Sequence, residues 1–451
     1  MKIPLPKGIV GLTEFPKLQE YYINMMWTEN GPMRTPGIKS FATGSGAMRG
    51  AVTWFVDGRR YQVSGSKFER VNADKTVTVL GSIGGMADVV FSQGQVNLVF
   101  VVKGGSGYRY NETEGLKQIT DPDFYPSDSV DFIDGRHVFI PSDGEPAFYS
   151  EVDQGGNIEP LSFFDAEELP DRNKCVINVS NQLFIGGTDS FEQFRTQIDP
   201  DAAFTRREGG RVDVGFVSGL TRFKTSFAFL GRRRGEAYRI YVMLSGDAQA
   251  ISNEAIDEIL NEQYTLEELE KCHAERFEYK GHEALVFSLP NHTFIFANGQ
   301  WSYMDSQLDQ KVSRWRGKGV THAYGKYLVG DVSTGDIGEL GNYSQEYGQD
   351  VELELLTYIR GERNAFFNVK KIELDCLMGQ SLVEKTVGLS ISRDGRSWSD
   401  FHYRGLGTIG QYSKVVRWHP AGGIGQFENF CGLRIRSTAD INFPIEALTF
   451  E

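Results

Sequence analysis

The chain has 451 residues, and its 60 acidic and 47 basic residues give a net charge of −13 with histidine neutral. The aromatic share of 12% can build a large core, which excludes a disordered chain. No apolar run approaches the roughly 20 residues that span a membrane. The acidic balance argues against a protein that reads DNA sequence, because binding phosphate needs a basic surface. It is compatible with a wall past which DNA moves.

The N-terminus and the cysteines are typical of a protein made in a reducing compartment. Residues 1–8 lack the apolar stretch of a secretory signal, so we expect assembly in the cytoplasm and no membrane insertion. The four cysteines are widely spaced, which favours reduced thiols and argues against a zinc site. We therefore predict that the protein uses no metal and no cofactor.

Short hairpins recur along the first three quarters of the chain. Each has two apolar runs joined by a turn, and two of the turns are the tight-hairpin dipeptides Asp57-Gly58 and Asp134-Gly135. The copies follow one another every 40 to 55 residues or so, the scale of a propeller blade. There are seven copies, at residues 50–63, 89–102, 130–140, 176–187, 220–231, 277–287 and 320–331.

This repetition predicts an all-β fold whose main domain, residues 46–343, is a β-propeller of six or seven blades. A blade is a four-stranded sheet that buries its faces only against neighbouring blades. Residues 108–110, 147–149 and 238–241 fit the third strands of their blades. Unrelated hairpins in sandwiches are the alternative, but they explain the regular spacing less well.

A small helical insertion over residues 252–272 interrupts the β pattern. Its first helix has an apolar face at helical spacing, and Ser252 is the expected N-cap. A second helix begins with a capping box formed by Thr265 and Glu268. The insertion is acidic outside its apolar face. It either packs over the rim of the propeller or forms a contact between subunits.

Two further regions flank the predicted propeller. Residues 1–45 are expected to form an extended segment that packs on the propeller or on the C-terminal domain. After residue 343, strands with one apolar and one polar face follow one another, as in residues 351–358 and 387–392. This period of two predicts an antiparallel β-sandwich over residues 350–451.

No catalytic motif is recognisable, so the chain is predicted not to be an enzyme. The seven histidines are scattered, and there is no nucleophile elbow, zinc-protease motif or phosphate-binding loop. Residues 392–398, Ser-Arg-Asp-Gly-Arg-Ser-Trp, resemble the Asp-box turn of sialidase-like propellers. That turn is structural, because its Ser and Asp side chains bond backbone amides.

Turn and packing residues also follow a recognisable order from one end of the chain to the other. The blocks lie at residues 22–24, 35–38, 49–63, 229–256, 281–301, 322–337 and 392–412. The closest match contains His322-Ala-Tyr-Gly-Lys326, Val329-Gly-Asp331 and Gly335-Asp-Ile337. Together these blocks resemble the packaged-DNA stabilisation proteins of short-tailed bacteriophages, which form the tail hub or nozzle. The chain departs from that pattern at Met25-Met26 and at Asn253-Glu254.

The resemblance implies a structural protein of the virion tail. Such a protein forms a ring, with six copies expected, below the portal and its adaptor protein. It extends the channel, retains the packaged DNA and anchors a tail needle or plug and tailspikes or fibres. Double-stranded DNA passes it without being read. No catalytic residue is transferred from the family to this chain.

Ring closure requires head-to-tail contacts between copies. Opposite charges could orient such a contact, and the sequence offers an arginine run and the acidic insertion. The candidate interface residues are Arg232, Arg233, Arg234, Glu258, Glu262 and Glu267. Two other functions stay open: a carbohydrate-binding or carbohydrate-cleaving propeller of a phage adsorption apparatus, and a propeller interaction module of a cellular complex.

Overall fold

The computed structural model of the chain describes residues 2–3, 5–12, 15–164, 171–197, 203–244, 246–306, 314–361, 365–376, 378–379, 382–413, 415–420, 423–439 and 448–451. Strands dominate this described part, and two short helices interrupt them. The predicted all-β fold, a propeller followed by a C-terminal sandwich, is confirmed.

The N-terminal segment consists of strands that join other parts of the fold. Its strands are β1 (Lys2–Ile3), β2 (Val10–Leu12), β3 (Phe15–Ile23), β4 (Met25–Thr28), β5 (Gly31–Arg34) and β6 (Gly37–Thr43). The strand β1 pairs with the last strand of the chain, β3 lies between the two domains, and β6 belongs to a propeller blade. The segment is therefore part of both domains.

Six blades follow, each made of four antiparallel strands in sequence order. The first two strands of every blade coincide with one of the predicted hairpins. Blades one to three contain β7 (Met48–Thr53), β8 (Arg60–Ser64), β9 (Lys67–Val71), β10 (Val77–Ser82), β11 (Val89–Gln93), β12 (Leu98–Val102), β13 (Gly107–Asn111), β14 (Gly115–Gln118), β15 (Ser127–Ile133), β16 (Arg136–Pro141), β17 (Ala147–Tyr149) and β18 (Phe163–Phe164).

Blades four to six have the same plan. Their strands are β19 (Asn173–Val179), β20 (Gln182–Gly187), β21 (Phe191–Thr196), β22 (Phe204–Val212), β23 (Gly215–Phe223), β24 (Ser226–Arg232), β25 (Arg239–Leu244), β26 (Asp247–Ala250), β27 (His273–Tyr279), β28 (His282–Ser288), β29 (Thr293–Ala297) and β30 (Gln300–Tyr303).

The seventh blade closes the ring with a strand from the other end of the propeller sequence. Its first three strands are β31 (Gly317–Ala323), β32 (Lys326–Asp331) and β33 (Asp336–Gly341). The fourth is β6, which pairs antiparallel with β33 from Asp336↔Thr43 to Gly341↔Gly37. The first strands of the seven blades contact one another in a closed circle, from β7 round to β31 and back to β7. The described chain thus forms a seven-bladed propeller that is locked by its N-terminal strand.

Aromatic residues between neighbouring blades make up much of the core. Between blades one and two, the fully buried rings of Phe68 and Phe100 lie 5.0 Å apart, and Tyr108 stacks on Phe100 at 5.3 Å. Offset aromatic pairs of this kind add to the free energy of burying their large apolar surface. The high aromatic content therefore stabilises blade stacking.

The insertion forms α1 (Glu254–Glu262) and α2 (Leu266–Leu269) on the edge of blade five. The buried face of α1 packs with the core residues of blades five and six and with Ile9 of the N-terminal segment. Thr265 and Glu268 form the predicted capping box of α2. The expectation for α1 was wrong, because the N-cap is Asn253, whose side chain accepts from the amide of Ile256.

Replacing Asn253 with alanine is expected to lower the free energy of unfolding by about 1–2 kcal/mol. The substitution removes the cap of α1 and also the 2.7 Å bond from the Asn253 amide to the carbonyl of Ile9. Urea denaturation measures the change. The exposed Glu262 at the other end of the helix serves as the control, because Glu262→Ala removes no capping contact. Equal losses in the two variants would contradict this assignment of the cap.

The C-terminal domain consists of two facing sheets and a separate two-stranded sheet. The strands that follow the first three of blade seven along the chain are β34 (Gln345–Glu346), β35 (Gln349–Asp350), β36 (Leu353–Arg360), β37 (Phe366–Val369), β38 (Ile372–Leu374), β39 (Thr386–Ser392), β40 (His402–Gly405), β41 (Val416–Trp418), β42 (Gly425–Glu428), β43 (Phe430–Ser437) and β44 (Leu448–Phe450). The hairpin of β34 and β35 extends the sheet of blade seven at β6. The core of the C-terminal domain lies between β36, β39 and β43 on one side and β38, β41 and β44 on the other, and β37 pairs with β42.

Candidate interaction surfaces

A continuous sheet joins the propeller to the sandwich. Blade six ends in β30, which pairs with β3 at Tyr303, and β3 pairs along its other edge with β36 of the sandwich. The sheet then runs on through β43, β39 and β40. Because backbone hydrogen bonds connect the two domains through β3, their relative orientation is fixed by secondary structure rather than by a flexible linker.

Two buried polar side chains reinforce this junction. Asn24, at a φ of 58°, donates from its side-chain amide at 2.8 Å to the carbonyls of Asp305 in the propeller and Glu352 in the sandwich. Arg34 donates to the carbonyls of Ser344 at 3.0 Å and Ala439 at 3.1 Å. Sequence reasoning missed both roles. The one available signal was the place of Asn24 in the block 22–24.

The three candidate arginines lie where blade five turns from β24 into β25. Arg232 stacks over the ring of Tyr238, with its guanidinium carbon 4.9 Å from the ring centre. Arg233 donates to Asp247 at 2.9 Å, which raises the pKa of the arginine and lowers that of the aspartate. Arg234 is exposed and forms no ion pair with a described residue. Arg232 and Arg234 are therefore the members best placed to meet another molecule.

The three candidate glutamates are exposed on the adjacent insertion. Glu258 and Glu262 lie one helical turn apart on α1, and Glu267 lies on α2. The turn from β24 into β25, which contains Arg232, Arg233 and Arg234, is called the arginine turn below. Asn261 of α1 fixes the end of this turn, because it forms two hydrogen bonds with the backbone of Tyr238, at 2.9 and 3.0 Å. The structure thus places the basic and acidic candidates side by side on one edge of one blade.

The first strands of all seven blades surround a central cavity of about 560 Å³. Its lining mixes apolar and charged residues, including Arg49, Asp88, Lys174 and Lys318. Within the described ranges, no three His, Cys, Asp or Glu side chains come together as a metal site requires. The described part of the chain also contains no helix long and apolar enough to cross a membrane.

The Asp-box-like segment forms a tight turn in the sandwich, after β39. The Asp394 carboxylate accepts from the amides of Arg396 at 2.8 Å and Ser397 at 2.7 Å, and these bonds lower the pKa of Asp394. Gly395 takes a φ of 70°, a conformation that favours glycine. The polar groups of Asp394 are thus engaged in holding the turn.

Comparison with known proteins yields matches to one family over nearly the whole chain. The model of the β-propeller of bacteriophage P22 Gp10 matches residues 1–345, and that of its β-sandwich matches residues 352–451. The tail hub protein gp10 of Salmonella phage P22 is 23% identical over 447 residues, covering 92% of this chain and 91% of that protein.

Solved structures show more distant similarity. The N-terminal domain of Nup159 aligns with 75% of this chain and 99% of its own, at a TM-score of 0.41 and 11% identity. The extracellular domain of BT4673 from B. thetaiotaomicron aligns with 77% of this chain and 45% of its own, at 0.46 and 11%. These similarities carry no inference about function.

Proposed function

Because this chain belongs to the family of the phage P22 tail hub protein gp10, we propose that it forms a ring, expected to be a hexamer, in the virion tail. A structural role in the tail hub follows from the family itself. In the finer proposal the ring assembles in the host cytoplasm, below the portal and its adaptor protein, and extends the DNA channel. It retains the packaged genome and anchors a tail needle or plug and tailspikes or fibres. The observation that carries the proposal is the family match across both domains.

The fixed junction between the domains supports a mechanical role in the tail. A ring under pressure from packaged DNA must resist bending, and here β3 pairs with both domains while Asn24 and Arg34 bond across the junction. A propeller locked by β6 resists opening for the same reason. These features suit a scaffold that transmits force without deforming.

The DNA channel of this proposal lies between subunits and not inside a propeller. A cavity of about 560 Å³ cannot hold duplex DNA, whose major groove alone is about 12 Å wide. A ring of several copies encloses a wider space on its own axis. The net charge of −13 would repel phosphate from such a wall, so that DNA passes without being read.

The DNA content of particles made without this protein tests the proposal. We expect heads that package DNA and then lose it, and purified protein added back should restore filled particles. Nuclease protection of encapsidated DNA measures both results. Particles that stay full but fail to adsorb to cells would contradict DNA retention and would indicate a receptor-binding component.

We further propose that the edge of blade five is one side of the contact between subunits. A head-to-tail contact needs two different patches, and the arginine turn and the insertion together form one of them. Reversing Arg232, Arg233 and Arg234 to glutamate is therefore expected to abolish rings and leave folded monomers. Native mass spectrometry measures assembly, and circular dichroism checks the fold.

Reversal of Glu258, Glu262 and Glu267 to lysine gives a second, independent variant of the same edge. Combining it with the arginine variant should not restore rings, because the two sets lie side by side and do not face each other. Lys117→Glu, on the outer strand of blade two, is the control for a charge change elsewhere. Intact rings from the arginine variant would contradict the proposal, and restored rings from the combination would show that the two sets face each other across the contact.

A further inference from the structure

The central cavity of the propeller has cationic groups at one mouth. Each of three first strands has a cation as its second residue: Arg49 in β7, Lys174 in β19 and Lys318 in β31. Lys103 follows β12 and lies beside Asp88, whose carbonyl accepts from its amide at 2.9 Å. The lining also contains the carboxylates of Asp88 and Asp128, so the mouth carries both signs of charge but is more basic than the chain as a whole, whose net charge is −13.

Carboxylates neutralise only part of this mouth. Lys318 pairs with Asp88 at 2.6 Å, and Lys174 pairs with Glu270 at 2.9 Å. A further carboxylate in the lining, Asp128, accepts from the amide of Gly104 and from the hydroxyl of Ser142. These acidic groups are therefore already engaged.

The other two cations form no direct ion pair within the described residues, although each interacts electrostatically with the Asp88 carboxylate. Arg49 is only 4% exposed and donates to the carbonyls of Ala87 and Gly65, which leaves one terminal nitrogen, Nη2, buried without a partner. Lys103 is exposed and forms no ion pair with a described residue. Because Nη2 is closed off from the cavity, Arg49 contributes positive charge to the mouth and does not offer a free hydrogen-bond donor there.

The electrostatics of two neighbouring groups agree with a positive mouth. Burial raises the pKa of Asp88, but Lys318, Lys103 and His273 together hold it below its usual range. Burial lowers the pKa of His273, and the cations Lys318 and Arg314 lower it further. The Nε2 atom of His273 is also buried without a partner in the structure. The Asp88 carboxylate is thus stabilised as an anion at this mouth, whereas burial raises the pKa of Glu275 in the same lining. A protonated His273 is disfavoured.

We propose that this mouth of the propeller cavity binds a small multivalent oxyanion of the phosphate class, with the exposed Lys103 as its principal partner and Arg49 as a buried source of positive charge. Ammonium groups form short, charge-assisted hydrogen bonds with phosphate oxygens. The cavity of about 560 Å³ admits a free anion or a short chain of phosphates but not a duplex. The site is distinct from the edge of blade five and does not depend on ring formation.

Calorimetric titration of the full chain with inorganic tripolyphosphate at low ionic strength tests the proposal. We expect one anion per chain and weaker binding as salt is added, since salt screens charge. Lys103→Gln should weaken binding about tenfold, as expected for the loss of one charge-assisted contact. Asp88→Asn should strengthen binding several-fold, because it removes a competing carboxylate and frees Lys318.

Lys117→Gln is the matched control, because it removes an exposed lysine far from the first strands. Circular dichroism checks that each variant is folded. A second titration uses a short DNA duplex, which carries the same phosphate chemistry and is too wide for the cavity. The absence of tripolyphosphate binding, equal binding by the Lys103 and Lys117 variants, or full displacement of tripolyphosphate by the duplex would each overturn the proposal.

Discussion

Replacing Arg60 with methionine is expected to lower the free energy of unfolding by about 3–5 kcal/mol. Arg60 is fully buried in blade one and reaches across the closure of the ring to blade seven. Its Nη1 donates to the carbonyls of Gly319 and Leu328, each at 2.9 Å, and to the hydroxyl of Thr321 at 2.7 Å. Methionine fills much of the volume but leaves these acceptors without a donor. The midpoint of urea denaturation measures the loss.

Two further variants separate this role from a general effect of charge. Arg59, the preceding residue, is partly exposed and pairs with Glu112, so Arg59→Met should change stability by less than about 0.5 kcal/mol.

The strand β31 has a β-bulge between Lys318 and Thr321, and Arg60 bonds one side of it. On its other side Glu275 of blade six accepts from the amides of Gly319 at 2.6 Å and Val320 at 2.8 Å. Glu275→Gln combined with Arg60→Met should cost less than the sum of the two, because they share one network. Strict additivity, or a mild effect of Arg60→Met alone, would contradict the closure role.

Replacing Glu346 with glutamine is expected to stabilise the protein above neutral pH by as much as about 3 kcal/mol. Glu346 is 5% exposed, lies on β34 where the chain leaves the propeller, and has one carboxylate oxygen without a partner. Burial raises the pKa of Glu346 from 4.5 to about 7, although Arg316 and Arg34 lie near enough to lower it. Glutamine keeps the shape and never carries the charge.

The sign of the pH dependence follows from the raised pKa. Between pH 4.5 and about 7 the folded chain holds a proton on Glu346 that the unfolded chain has lost, so the stability of the natural protein falls as pH rises. The fall should be absent from the Glu346→Gln variant. Urea denaturation at a series of pH values measures this difference. Glu352→Gln, six residues on and partly exposed, is the control and should leave the slope unchanged. A Glu346 variant with the natural slope would contradict the assignment.

Local sequence patterns were enough to predict the architecture of this protein and the family to which it belongs. Hairpins such as residues 50–63 are local, and their Asp-Gly turns and apolar runs fix two adjacent strands without help from distant residues. Repetition at blade length then leaves a propeller as the natural way to bury both faces of each sheet. The change to one-sided strands after residue 343 marked the sandwich for the same local reason.

Closure of the propeller and the grouping of charged side chains on its surface depend instead on contacts between residues far apart in the sequence. The strand Gly37–Thr43 joins blade seven through pairing with residues about 300 positions away, which no local pattern encodes. The predicted N-cap of α1, Ser252, does not cap the helix, because its hydroxyl accepts from the amide of Ile240 and donates to Asp257; Asn253 is the cap instead. The juxtaposition of the arginine turn with the acidic insertion, and of Arg49 with Lys103 at the cavity mouth, also depends on long-range packing. The sequence gives the number and sign of the charges, but only the fold determines which of them lie close together in space.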